Sequence, residues 1–409
     1  MIRFLLISLL TSLSLYSVEL GIDNFLSHPI MKEIQGKKVG LITNQTGVDS
    51  KLKSTIEILT ENDKINLVSL FCPEHGLKGT FYAGEKVESD SKKVIPLYSL
   101  HGATRRPTKA MLEGLDFLIY DIQDGGVRTY TYASTLYYVM EEAAKYNIKV
   151  VVLDRPNPIS GEIVDGPMLD EKKWRSFIGY INVPYCHGMT IGELATLFNS
   201  QYCINCPLEV IKMKGYQRNM SFDQTGLPWI PASPNVPESN SPLFMATTGM
   251  IGELGIVNIG IGYTLPFKVV GAPWIDSEKF ADHLNKQNLK GVRFLPYTFR
   301  PFFGSYKGKD CHGVLIKVTH LPSYKPLEVS FLLMGSLKSL YPKQVNNQIK
   351  NASQTQRDLF CKAAGNSSIL KTLQDEKICA WKLIELCRTQ SNSFLKTRSQ
   401  YLFKEYEPH

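Results

Sequence analysis

The 409-residue chain has no G-x-G-x-x-G after its first strand-like run and no G-x-x-x-x-G-K-[ST] loop. Neither a dinucleotide fingerprint nor a nucleotide phosphate cradle is therefore present. It also lacks a G-x-S-x-G elbow, which counts against a serine esterase. After the first seventeen residues no apolar run is long enough to span a bilayer, and repeats and low-complexity tracts are missing. Charge is nearly balanced, with 46 Lys and Arg against 38 Asp and Glu, and basic residues do not interleave with aromatics. A dedicated nucleic-acid surface is not indicated. The eight cysteines include two pairs close in sequence, Cys203 with Cys206 and Cys379 with Cys387. CINC, however, has no second Cys/His pair to complete a zinc site, and buried free thiols are expected for most of the eight.

What is present begins with MIRFLLISLLTSLSLYS, residues 1–17, in which Arg3 precedes an apolar stretch and small polar residues. This is the pattern of a cleavable secretory signal, and it predicts a periplasmic or secreted protein without stable membrane insertion. Hydrophobic content of 43% and charged content of 21% suit a soluble globular chain, long enough for two domains.

From residue 37 apolar strand-like runs (KKVGLIT, INLVSLF, LDFLIYDI, KVVVLD, LEVIKMK) alternate with amphipathic stretches such as STLYYVMEEAAKYN and TIGELATLFNS. The alternation predicts an α/β domain over residues 20–245 with a mostly parallel sheet covered on both faces. Residues 246–409 are expected to form a smaller α+β unit, with strands near GVRFLPYTF and HGVLIKVTH. In such sheets ligands bind beyond the carboxyl ends of the strands. There the sequence places Asn44-Gln45-Thr46, Pro73-Glu74-His75-Gly76, Asp121-Ile122-Gln123-Asp124 and Asp154-Arg155-Pro156-Asn157.

Glu74 leaves an apolar strand between Pro73 and Gly76, where a dry rim would raise its pKa and suit it to general-acid chemistry. Asp121 and Asp124 frame a tight turn at Gly125-Gly126. Arg128 follows with Tyr130, and it either binds an acidic sugar or pairs with Asp121. His187 stands just before a helix whose Thr190 and Glu193 have capping-box spacing.

Together these stretches resemble the exo-β-N-acetylmuramidases of bacterial peptidoglycan recycling. The matching text includes GLITNQTGVD, LFCPEHGLKG, FLIYDIQDGGVRTYTYASTL, VVLDRPNPISG, GYINVPYCHGMTIGELATLFN, WIPASPNVP and PFKVVGAPWID. The resemblance implies a Rossmann-like catalytic domain, an auxiliary C-terminal domain and a cleft between them. It implies release of N-acetylmuramic acid from non-reducing ends of peptidoglycan-derived saccharides, without a metal or organic cofactor. Glu74 then corresponds to the catalytic acid, with Asp121 or Asp124 activating water or steadying the substrate's acetamido group. The expected substrate contacts are Asn44, His75, Gln123, Arg128, Tyr130, Asn157, His187, Asn235 and Asn258. Arg128, ahead of Arg106, Lys78 and Lys268, is expected to hold the lactyl carboxylate. The chain departs from the family at Cys186, where an Arg is usual. In GIVNIGIGY it has Gly255 in the place expected for a Glu and Tyr263 in that expected for an Arg. These departures leave a sugar-binding protein on the same scaffold as the alternative.

Overall fold

The computed structural model describes residues 17–90 and 94–408, so all but Ser17 of the expected signal segment lies outside the described residues. The first strands are Lys38–Thr43 (β1), Asn66–Cys72 (β2), Leu97–Ser99 (β3), Phe117–Asp121 (β4) and Lys149–Leu153 (β5). After a two-stranded ribbon of Val164–Asp165 (β6) and Cys186–His187 (β7) comes Leu208–Ile211 (β8). All but the ribbon form one parallel sheet in the order β3-β2-β1-β4-β5-β8.

The strands are apolar on both sides because both faces are buried. Val39, Leu41, Ile119, Val151 and Leu153 point into one hydrophobic cluster, and Ile42, Leu118, Tyr120, Val150 and Val152 into the other. Helices Thr131–Lys145 and Ile191–Gln201 contribute Leu136, Met140, Leu194 and Phe198 to the second cluster, while Phe25 and Leu59 fill the first. This is the parallel sheet covered on both faces that the alternation predicts, and it is Rossmann-like, as the resemblance implies. Its order reverses beside β1, which has β2 on one side and β4 on the other. The loops leaving Thr43 and Asp121 are tied together there: the Thr43 hydroxyl donates to the Asp121 carbonyl at 2.9 Å, and the Thr46 hydroxyl accepts from the Gln123 amide at 2.9 Å.

The capping box at Thr190 is formed: its Oγ1 accepts from the Glu193 amide at 3.3 Å, and Glu193 accepts from the Thr190 amide at 3.0 Å. Such a cap stabilises a helix by about 1 kcal/mol.

Val269–Ala272 (β9), Val292–Phe299 (β10) and Cys311–Val318 (β11) make an antiparallel sheet ordered β10-β11-β9. Strand β9 is not evident from sequence, because its run VVGA is only four residues long and includes Gly271. Helix Ser241–Gly252 runs through residues 245 and 246, so the expected division between the two units falls inside a helix. A continuous apolar cluster joins Ile42 of β1 to Leu332 and Phe394 in the C-terminal helices. Cys186, Cys203, Cys206, Cys311, Cys361, Cys379 and Cys387 are free thiols and all but Cys203 are buried, in line with the expectation for most of the cysteines.

Candidate active site

At the carboxyl edge of the sheet lies a cleft of about 750 Å³. Glu74, His75, His101 and Tyr130 line one wall, and Asn235, Glu253 and Asn258 lie farther along the chain. Of the residues expected from sequence, Glu74, His75, Tyr130, Asn235 and Asn258 thus meet in one cavity.

Glu74 reaches it through a strained turn. His75 has φ +71° and Gly76 φ +76°, so the backbone turns sharply straight after the carboxylate. A non-glycine residue in this region is uncommon and tends to mark a functional constraint. The His75 ring is pinned by Nδ1 against the Phe81 carbonyl at 2.6 Å. Glu74 is buried, with Oε1 accepting from the Gly84 amide at 2.8 Å and Oε2 from the Thr131 hydroxyl at 2.6 Å. His101 Nε2 stands 3.5 Å from Oε1. Burial pushes the carboxyl pKa up, but the Thr131 hydroxyl, the Gly84 amide and the two imidazoles outweigh it, so Glu74 lies below the ordinary carboxylate range. The raised pKa expected from its place at a strand end is therefore corrected: Glu74 is ionised.

The opposite environment belongs to Glu253, at the C-terminal end of helix Ser241–Gly252. It is partly exposed at the cleft wall and has no hydrogen-bond partner for its carboxylate among the described residues. Burial pushes its pKa up to about 7. The negative end of the helix dipole acts in the same direction. The resemblance implies a Glu at position 255, where this chain has glycine; Glu253 stands two residues earlier. Its signal was a lone acid in the apolar run SPLFMATTGMIGELGI.

The other expected residues hold the framework. Asp121 is fully buried and does not line the cleft; Arg155 grips it with Nε at 2.6 Å and Nη2 at 2.9 Å, and the Thr55 hydroxyl also donates to it. Its expected catalytic role is corrected to anchoring the β4 end. Asp124 is likewise away from the cleft: it accepts the Gly126 amide at 2.8 Å, and burial pushes its pKa up to about 7. The tight turn is real, since a Cβ on Gly126, whose φ is +74°, would lie 2.3 Å from Asn157 Oδ1.

Arg128 neither pairs with Asp121 nor faces the cleft. Its guanidinium donates to the carbonyls of Pro167, Val183 and Ala363 at 2.6, 2.7 and 3.0 Å, stapling the first unit to helix Gln354–Ala364. Gln123 bonds the carbonyls of Asp124 and Pro156, Asn157 bonds that of Met189, and Asn44 closes a turn onto Thr46. His187 is buried, accepts the Met189 amide at 3.2 Å, and is pushed down to about 3 by burial. None of these four lines the cleft, which corrects their expected substrate contacts. Asn258 does line it, but its side chain is engaged by Ile261, Ser305 and Gly260 and orders the GIVNIGIGY loop. Asp121→Asn is expected to cost about 3–5 kcal/mol in urea unfolding, because it unpairs a buried guanidinium. Turnover by the folded fraction should persist; its loss in a fully folded variant would return Asp121 to the chemistry.

Two residues of the stretch YSLHGATRRPT, which also matches the family but gives neither of them a role, complete the wall. His101 is buried, with its ring 5.6 Å from that of Phe177 and its Nδ1 without a partner among the described residues. Burial lowers its pKa, which keeps the imidazole neutral at pH 7. Arg105 lies over the Phe177 ring at 4.4 Å.

Residues 39–240 match the N-terminal model, and residues 243–403 the C-terminal model, of the exo-β-N-acetylmuramidase NamZ family. The peptidoglycan β-N-acetylmuramidase NamZ of Bacillus subtilis is 41% identical over 387 residues, covering 94% of this chain and 91% of that one. The crystal structure of a DUF1343 family protein from Bacteroides fragilis superposes with TM-score 0.88 at 38% identity, covering 95% of this chain and 99% of the other. A second from the same organism gives TM-score 0.69 at 28% identity, covering 96% and 99%. With both family models matched in order and a curated relative aligned along nearly its whole length, the chain belongs to the exo-β-N-acetylmuramidase NamZ family.

Proposed function

We propose that this protein hydrolyses β-glycosides of N-acetylmuramic acid, releasing the sugar from the non-reducing end of peptidoglycan fragments. The observation that carries the reading is one cleft holding two carboxylates in opposite environments, Glu74 ionised and Glu253 with a pKa of about 7. Glycoside hydrolysis needs such a pair, one group to protonate the leaving oxygen and one to act as a base, nucleophile or electrostatic partner. Glu253 takes the acid role and Glu74 the anionic one, the reverse of what strand position alone suggests for Glu74. Glu74 then activates water or steadies the substrate's acetamido group as positive charge develops at the anomeric carbon.

Glu253 also answers the reason for the binding-only alternative, since the carboxylate missed at position 255 is supplied from position 253. Residues 1–17 support export to the periplasm or beyond. The test is incubation of the purified protein with a disaccharide bearing N-acetylmuramic acid at its non-reducing end. Release of N-acetylmuramic acid is expected; saccharide binding without release would establish the binding protein instead.

A further inference from the structure

An N-acetylmuramic acid residue differs from its neutral 2-acetamido relative by one ionised group, the carboxylate of its 3-O-lactyl ether. With Glu74 already anionic, the cleft needs a cation to hold that group. Four candidates were read from the sequence, and the structure occupies or removes each. Arg128 is buried on three carbonyls. Arg106 pairs with Glu141 and bonds the Tyr180 hydroxyl at 2.9 Å. Lys268 pairs with Glu238, and Lys78 is exposed outside the cleft lining.

Two cationic side chains of the described residues do line the cleft, Arg105 and Lys362, and neither has a carboxylate partner there. Arg105 is the better formed. It belongs to the loop that carries His101, whose Nε2 stands 3.5 Å from Glu74. Its guanidinium lies over Phe177 at 4.4 Å, and the same ring packs against His101 at 5.6 Å. A guanidinium seated on an aromatic face keeps its N–H edge for a planar anion, and a carboxylate can take two of those hydrogens at once. Lysine on a flexible stem supplies only a point charge.

Resting on the functional reading above, we propose that Arg105, held by Phe177, binds the lactyl carboxylate and makes the site select the acidic sugar over neutral N-acetylglucosamine. Arg105 is exposed, so its replacement leaves the core untouched.

The test compares kcat/KM on nitrophenyl β-N-acetylmuraminide and β-N-acetylglucosaminide for wild type, Arg105→Gln, Arg105→Lys and Lys362→Gln. Arg105→Gln is expected to lose about 10- to 100-fold on the muraminide, mainly through KM, the loss typical of a charged hydrogen-bonded contact. Its loss on the glucosaminide should be far smaller, and Arg105→Lys should restore part of the selectivity. Retained selectivity in Arg105→Gln, or its collapse in Lys362→Gln alone, would overturn the assignment. Calorimetric binding of free N-acetylmuramic acid reads the same contact without turnover. A wild type that binds this sugar through Arg105 but hydrolyses neither glycoside would support the assignment and sink only the catalytic reading.

Discussion

Glu74→Gln is expected to lower kcat on a muramic-acid disaccharide by about 10²–10⁴-fold, the range for loss of a positioned acid–base group. The substitution keeps size and shape, and both present partners can stay: the Gly84 amide donates to the carbonyl oxygen, and the Thr131 hydroxyl, now the donor, becomes the acceptor of the new amide N–H. Unfolding free energy should therefore change by only about 1 kcal/mol, the worth of one ordinary hydrogen bond. What disappears is a negative charge facing the cleft. Because the loss falls on transition-state charge, KM should move far less than kcat. The pH profile supplies a second check. Glu74 is held below the ordinary carboxylate range, so its ionised form persists as pH falls, and the acid limb it causes in kcat/KM should lie low. A Glu74→Gln enzyme with unchanged kcat would remove Glu74 from the chemistry.

The strands of the first sheet could be read from sequence because a parallel sheet buried on both faces demands unbroken apolar runs, and runs such as KVGLIT and FLIYD have few other homes. The same logic brings Glu74 and His75 to the cleft but fails for Asn44, Asp121, Asp124 and Asn157, strand-end residues that do not line it. Protonation and pairing could not be read, because they depend on partners distant in sequence. Glu74 is ionised on account of Thr131, 57 residues away, and Asp121 is occupied by Arg155, 34 residues away. Arg128 is claimed by the Ala363 carbonyl, 235 residues on, which no local spacing announces. A strand end tells where a carboxylate emerges, but its pKa is set by which amides and hydroxyls the rest of the fold delivers there.

Glu253→Gln should separate the two carboxylates by the leaving group they serve. An acid is needed in proportion to how poorly the departing oxygen carries negative charge. A sugar alkoxide must be protonated as the bond breaks, whereas nitrophenolate leaves unaided. On a disaccharide with a sugar leaving group, kcat is expected to fall by about 10²–10⁴-fold. On the nitrophenyl glycoside the loss should be far smaller, and the ratio of the two is the signature. The pH dependence has a definite sign. Burial raises Glu253 to about 7, and the protonated form is the active one, so wild-type turnover falls as pH rises through that value. Glutamine cannot ionise, so the variant's residual rate on the disaccharide should lose this alkaline limb. Glu74→Gln behaves differently, since an anion facing the anomeric carbon is required whatever departs, and it should slow both substrates. If Glu253→Gln slowed the nitrophenyl glycoside as severely as the disaccharide, or kept the alkaline limb, the protonated group would have to be sought elsewhere in the cleft.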